Sequence, residues 1–264
     1  MSETVDPAEL VRQVATALRF ERWNGADAVS RSWASAVEPV PAPARVPAPA
    51  RVPAPVPAPV PVPVPAPVRA AAPPVDVETA LQILRTRIGD CSRCEHAAGR
   101  QHIVHGTGNP RARLMLVGAA PDAAADASGQ PWQGEAGALL DKMLLAMGTS
   151  RAETWMTYLN LCRSPSGGDA SDAAVRACSP FLRTQIETIK PEVVLLCGEL
   201  PARFLLRSPA PLGDLRGRWS KLLGIDVLPT HDPAHLLQQP ALKREAWADL
   251  QLVMRRLGLT PPSR

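Results

Sequence analysis

Four short apolar runs most limit what this chain can become: residues 113–117 (RLMLV), 155–161, 192–197 (EVVLLC) and 225–228. Each suits one strand, and helical patterns separate them. Leu81, Leu84 and Ile88 share a helical face over residues 78–88, and Leu139, Leu140, Met143, Leu144 and Met147 do so over 135–147. Residues 171–189, with Ser171 as cap, about 200–206, and a closing stretch over 240–257 complete the set. Strands alternating with helices predict an α/β fold with a mostly parallel sheet covered on both faces. Such sheets bind ligands outside the carboxyl ends of their strands. Those ends are residues 118–122, 160–165, 198–200 and 230–234, and two of them are turns of small residues and Pro.

The pattern begins only near Asp76, and three segments are expected. Residues 1–38 contain one short amphipathic helix over 7–22, with Asp6 as cap and Leu10, Val14, Ala17 and Leu18 on one face. It reads as a weakly ordered helix, with a docking helix for another protein as the alternative. Residues 39–75 hold half of the 30 prolines, alternating with Ala or Val. Such a run lacks backbone donors and predicts an extended polyproline spacer. Residues 76–264 are the folded domain, expected to be monomeric. Aromatics are only 4% of the chain, so its core must be aliphatic. No apolar run approaches the ~18 residues of a membrane span. Met1-Ser2-Glu3-Thr4 opens without a basic and apolar leader, so a cytoplasmic location is expected. A reducing compartment favours metal ligation over disulfides for the five cysteines. The formal net charge of +4 permits a polyanionic partner.

Cys91-Ser92-Arg93-Cys94 points two thiols at one metal or cluster, or at a redox disulfide. Cys162 and Cys178 are the other candidates. The long gap from Cys94 does not fit a compact zinc finger. It fits a site embedded in a larger domain, with zinc, iron–sulfur and redox chemistry all open.

Near the strand ends, Trp132 lies between small and Pro-rich turn residues and can stack on a planar ring. Asp122 and Asp126 read as loop carboxylates, either able to orient a water. His231, Asp232 and His235 cluster after the fourth strand, where His beside Asp suits acid–base work. Arg216 and Arg218, with Trp219, form a basic turn that suits phosphate contact.

Taken together, the motifs resemble the uracil-DNA glycosylase superfamily, in particular its family 4, the iron–sulfur branch. The matching pieces are the Cys91–Cys94 pair, VHGTGNP at 104–110, LMLVGAAP at 114–121 and GQPWQGEAGALLDKML at 129–144. They continue with CRSP at 162–165, CSPFL at 178–182, LRGRW at 215–219 and DPAHLL at 232–237. The resemblance implies a three-layer α/β/α domain around a four-stranded sheet. It also implies a [4Fe-4S] cluster on Cys91, Cys94, Cys162 and Cys178, structural in role, with Cys197 left as a buried thiol. The implied partner is DNA, single- or double-stranded. The implied reaction is hydrolysis of the N-glycosidic bond of a flipped uracil.

The pocket positions depart from that family. Trp132 stands where the family stacks a Phe. Gly118 is kept, but Ala119 replaces a Glu and Asp122 a Gly. Ala125 stands where a second Glu is usual, beside Asp126. Tyr158 replaces the Asn that reads the uracil edge, and Asn160, two residues on, is expected on the same strand face. Asp232 replaces a His, with His231 one position earlier. Two expectations follow from the resemblance. In one, a glycosylase acts on uracil or a related damaged base: Trp132 stacks, Tyr158 or Asn160 reads, Asp232 or Asp126 positions water and His231 serves as electrophile. In the other, a catalytically silent member binds DNA or senses lesions, tethered by its Pro-rich arm. A related enzyme acting on another nucleotide or nucleic acid is a third.

Overall fold

The computed structural model describes residues 76–168 and 170–261, all within the unit Val75–Arg264. The helix expected over 7–22 and the Pro-rich spacer lie outside the described residues.

The sheet is built on β2 (Leu114–Gly118), β3 (Trp155–Tyr158), β4 (Val193–Cys197) and β6 (Ile225–Thr230). These pair in parallel in the order β3-β2-β4-β6. Two short edge strands close the sides antiparallel: β1 (Thr107–Gly108) on β3 and β5 (Ser220–Leu222) on β6. The sheet is therefore six-stranded and mixed, where four strands were expected. The parallel centre is the expected one, and the added edges are too short to carry an apolar period.

Alternate residues of each strand face opposite layers. Leu114, Leu116, Met156, Tyr158, Leu195 and Leu228 pack with Leu140 and Leu144 of α3 (Gly134–Met147) and Leu250 and Val253 of α8 (Lys243–Leu257). On the other side, the Trp155 indole donates to Gln185 Oε1 of α4 (Asp172–Ile189) at 2.9 Å. Both faces are covered, which is why the strands read as unbroken apolar runs. Ser171 caps α4 as expected, accepting from the Ala174 amide. Within α4, Pro180 has no N–H to give the Arg176 carbonyl, and Ser179 Oγ donates to that carbonyl instead at 3.3 Å.

α1 (Val77–Ile88) packs on α4, with Leu84, Ile88, Leu161 and Cys178 in one cluster. Beyond it, Ser171 Oγ donates to Glu95 Oε1 at 2.5 Å, joining the Cys91–Cys94 segment to the start of α4.

The largest departure from expectation lies after β2. Residues 122–128 are not a loop: Asp122 caps α2 (Ala123–Ser128), accepting from the Ala125 amide at 2.8 Å. Asp126 lies within α2 and is fully buried. Its carboxylate accepts the Gln101 amide at 2.9 and 3.1 Å and the His102 amide at 3.1 Å. His102 Nδ1 contacts the Asp126 carbonyl at 2.7 Å. The expected water-orienting carboxylate is thus a buckle, fastening the segment after the cysteine pair to α2. Asp126→Ala would remove three charge-assisted contacts to amides at the domain surface, at a cost of roughly 1 kcal/mol or more. Chemical denaturation checks this, and an unchanged midpoint contradicts it.

Candidate functional site

Two sites form at the carboxyl edge of the sheet and beside it. The first is a packed cluster of side chains at the ends of β2, β3, β4 and β6, the place of the expected pocket. Gly118 ends β2 and must be Gly: a Cβ there would lie 2.7 Å from Trp132 Cζ2 and 2.8 Å from Tyr158 Cδ1. Trp132 and Tyr158 are each 3% exposed, with ring centroids 4.7 Å apart and planes tilted by 34°. The Trp132 amide donates to the Tyr158 hydroxyl at 2.8 Å. Burial raises the Tyr158 pKa far above its ordinary 10.0, so the ring stays a neutral phenol. Trp132 holds φ at +44°, a left-handed conformation that costs an L-residue roughly 1–2 kcal/mol. Asp232 reaches the same pocket from the end of β6, capping α7 (Pro233–Gln238) through the Ala234 amide at 2.8 Å. Its Cβ lies 3.5 Å from where a Gly198 side chain would begin.

The other expected pocket residues are placed differently. Ala119 presents its carbonyl to the Asn160 amide at 2.9 Å. Asn160 lies two residues beyond the end of β3 at Tyr158. Its buried side chain instead lines the cysteine cavity, and its Oδ1 has no partner within the protein. His231 and Asp232 point opposite ways. His231 turns onto α8, where Nε2 contacts Glu245 Oε2 at 3.2 Å, and its ring stacks 6.0 Å from His235. Its Nδ1 is buried without a partner in the protein. Arg216 turns inward as well. It makes a two-point contact with Asp249 at 2.8 and 3.1 Å and donates to the Glu245 carbonyl at 2.6 Å. Thr230 Oγ1 completes the network on Asp249 at 2.8 Å. Of the two arginines expected at phosphate, only Arg218 is exposed and directed to solvent.

The second site is a small hollow, partly open to solvent, lined by Cys91, Cys94, Cys162 and Cys178 together. Leu161 donates its amide to Cys178 Sγ at 3.3 Å, and Arg93 its guanidinium to Cys91 Sγ at 3.3 Å. Arg93 also lies 5.1 Å over the Phe181 ring, and buried His96 contacts the Cys162 carbonyl at 3.2 Å. Burial first, then the neighbouring thiols, pushes Cys162 up to about 11 and Cys178 up to about 12. Thiolates here therefore need a positive partner. Among the described residues, no group of three or more His, Cys, Asp or Glu closes on one metal ion. The four thiols surround a volume instead.

Sequence reasoning named Gly198 only as part of a strand end and missed Arg151, Glu245 and Asp249. Gly198, at φ +102° directly after an apolar run, carried a local signal. The other three act across the fold, and nothing in their neighbourhoods marks them.

A family model for the uracil DNA glycosylase superfamily matches residues 105–251. The chain belongs to that superfamily. Among curated proteins, it is similar to type-4 uracil-DNA glycosylases of three archaea. It is 30% identical to that of Saccharolobus solfataricus over 69% of this chain and 88% of the relative. For Pyrobaculum aerophilum the identity is 33% over 65% and 92%, and for Archaeoglobus fulgidus 29% over 67% and 92%.

Burial raises the Asp232 carboxyl above its ordinary 3.8. The Ala234 amide and the Trp132 side chain oppose the rise, nearby Asp122 adds to it, and His235 opposes it. A carboxyl raised in the folded state contributes stability that is complete below 3.8 and is lost as pH climbs through the folded value. Asp232→Asn keeps a capping oxygen but cannot ionise. Its melting temperature should gain on the wild type as pH rises from the ordinary carboxyl value of 3.8 through the raised folded one. Parallel melting curves across that range would contradict the burial argument.

Proposed function

We propose that this protein is a uracil-DNA glycosylase-like DNA-repair protein with a [4Fe-4S] cluster on Cys91, Cys94, Cys162 and Cys178. It would hydrolyse the N-glycosidic bond of a flipped uracil or related damaged base in single- or double-stranded DNA. The observation that carries this reading is the meeting of Gly118, Trp132, Tyr158 and Asp232 at the strand ends of a fold whose type-4 relatives are named for that reaction.

The pocket supplies several needs of such a reaction. Trp132 offers a ring face for a planar base. The Tyr158 hydroxyl accepts from the Trp132 amide and keeps a proton that it could donate to a carbonyl of the base once its ring has moved aside. Negative charge develops on the departing base and needs a donor. Asp232 can donate only while protonated, which its buried position favours. Ionised, it would oppose the leaving group. Arg218 is the exposed cation suited to a flanking phosphate.

One observation favours a second reading, a catalytically silent member that binds DNA or senses lesions. Tyr158 already occupies the face of Trp132 at 4.7 Å, where a base would stack. A base stacking on that face would have to displace Tyr158. His231, committed to Glu245, is not positioned to replace the missing electrophile.

A uracil-excision assay on single- and double-stranded DNA decides between the readings. Cleavage by the wild type supports the glycosylase. No cleavage with retained DNA binding supports the silent member, and neither cleavage nor binding sinks both. Tyr158→Asn with Asp232→His should raise excision, since it clears the Trp132 face and restores an imidazole donor.

The cluster rests on its donor set. Four thiols around a shared volume, with amide and guanidinium donors to their sulfurs, suit a polynuclear iron–sulfur group. A tetrahedral zinc ion needs its ligands closed on one point at ~2.3 Å. When bound, the cluster would supply cross-linking rather than substrate chemistry, because thiolate-saturated iron leaves no open position. The purified protein should be brown and contain iron and acid-labile sulfide, and Cys178→Ser should lose both. A colourless, zinc-containing protein would overturn the assignment.

A further inference from the structure

Trp132 is held from both sides of its backbone, and only one side belongs to the pocket. Its amide goes to Tyr158. Its carbonyl goes to Arg151, whose Nη2 lies 2.7 Å from that oxygen. The same guanidinium reaches the Pro131 carbonyl at 2.9 Å and the Gly137 carbonyl at 3.2 Å. Its Nε is paired with Asp141 of α3. One planar fork therefore gathers three carbonyls from the residues on either side of the Trp132 bend, with a carboxylate orienting it from behind. The space is closed to anything larger. A Cβ on Gly137 would lie 2.1 Å from the Trp132 carbonyl oxygen and 3.0 Å from Arg151 Nη2.

We propose that Arg151 is the positioning residue of the base-stacking platform: it holds Trp132 in its left-handed backbone conformation and so presets the plane on which a flipped base stacks. The geometry demands such a holder. Trp132 sits at φ +44°, which a Trp does not adopt unassisted, and the Tyr158 hydroxyl secures only its amide. A base stacking on the Trp132 face would also have to displace Tyr158, and its bond to the amide would go with it. Arg151 is the backbone contact that remains on Trp132, so the bend keeps its shape while the pocket changes occupant. Lys cannot take this part, because a single ammonium on a flexible stem does not present the fixed fork that three carbonyls require.

The inference rests on the reading of Trp132 as a base platform, and two measurements on the full cluster-bearing chain separate them. The first is the ratio of affinities for an oligonucleotide containing uracil and for the same oligonucleotide without it. Arg151→Ala should lower that ratio about tenfold, since small misplacements of a positioned group are costly. Its affinity for undamaged DNA and its visible absorbance should stay unchanged. Arg151→Lys keeps the charge and the Asp141 pair, guards against loss of folding, and should not rescue the ratio. The second is amide hydrogen exchange over residues 129–137, which should quicken in both variants while α8 exchanges as in the wild type. An unchanged ratio in a wild type that does prefer uracil overturns the proposal, as does unchanged exchange over 129–137. A wild type with no preference for uracil defeats the functional reading alone, and the exchange measurement then decides the role of Arg151.

Discussion

The pairing of β2 in parallel with both β3 and β4 is the constraint from which the rest follows. It sets four strand ends side by side and sends the chain outward in two directions from β2. That reversal opens a crevice at the carboxyl edge, where α/β sheets take their ligands. Gly118 stands at its floor, and its lack of a side chain lets the Trp132 and Tyr158 rings approach β2. The pocket is thus a result of strand order before it is a result of any polar residue.

Much of this was legible in the sequence, because burial on both faces writes itself as unbroken apolar runs. The four central strands, the Ser171 cap and α3 were readable from pattern alone. The edge strands were not, since pairs such as Thr107–Gly108 carry no period and exist only through β3. The small helix α2 was hidden in an Ala-rich stretch that reads as a loop until Asp122 is seen to cap it. Spacing named Cys162 and Cys178 as candidates to join the Cys91–Cys94 pair, and the resemblance supplied what spacing could not, an implied iron–sulfur cluster in place of three open chemistries.

Polar side chains were the least legible, because type does not reveal direction. His231 and Asp232 are neighbours in sequence, yet one faces α8 and the other the pocket. Arg216 and Arg218 read as equals, but Arg216 is bound by Asp249 and Glu245. Asn160 lines the cysteine cavity, two residues beyond the end of β3. For His231 and Arg216 a partner farther along the chain, on α8, accompanies the orientation. The scaffold was set by local pattern, and the chemistry by contacts tens of residues apart.

The docking of α1 on α4 also fixes an order of assembly. α1 contributes no strand and finds its apolar partners, Leu161 and Cys178, only near the middle of the chain. During synthesis the earliest part of this unit must therefore wait for residues made much later, while β2 and α3 already have each other. Contacts of such long separation form late and slowly. The cysteine cavity lies across that last seam. A group bound there would tie the α1 end of the domain to residues made some seventy or more positions later.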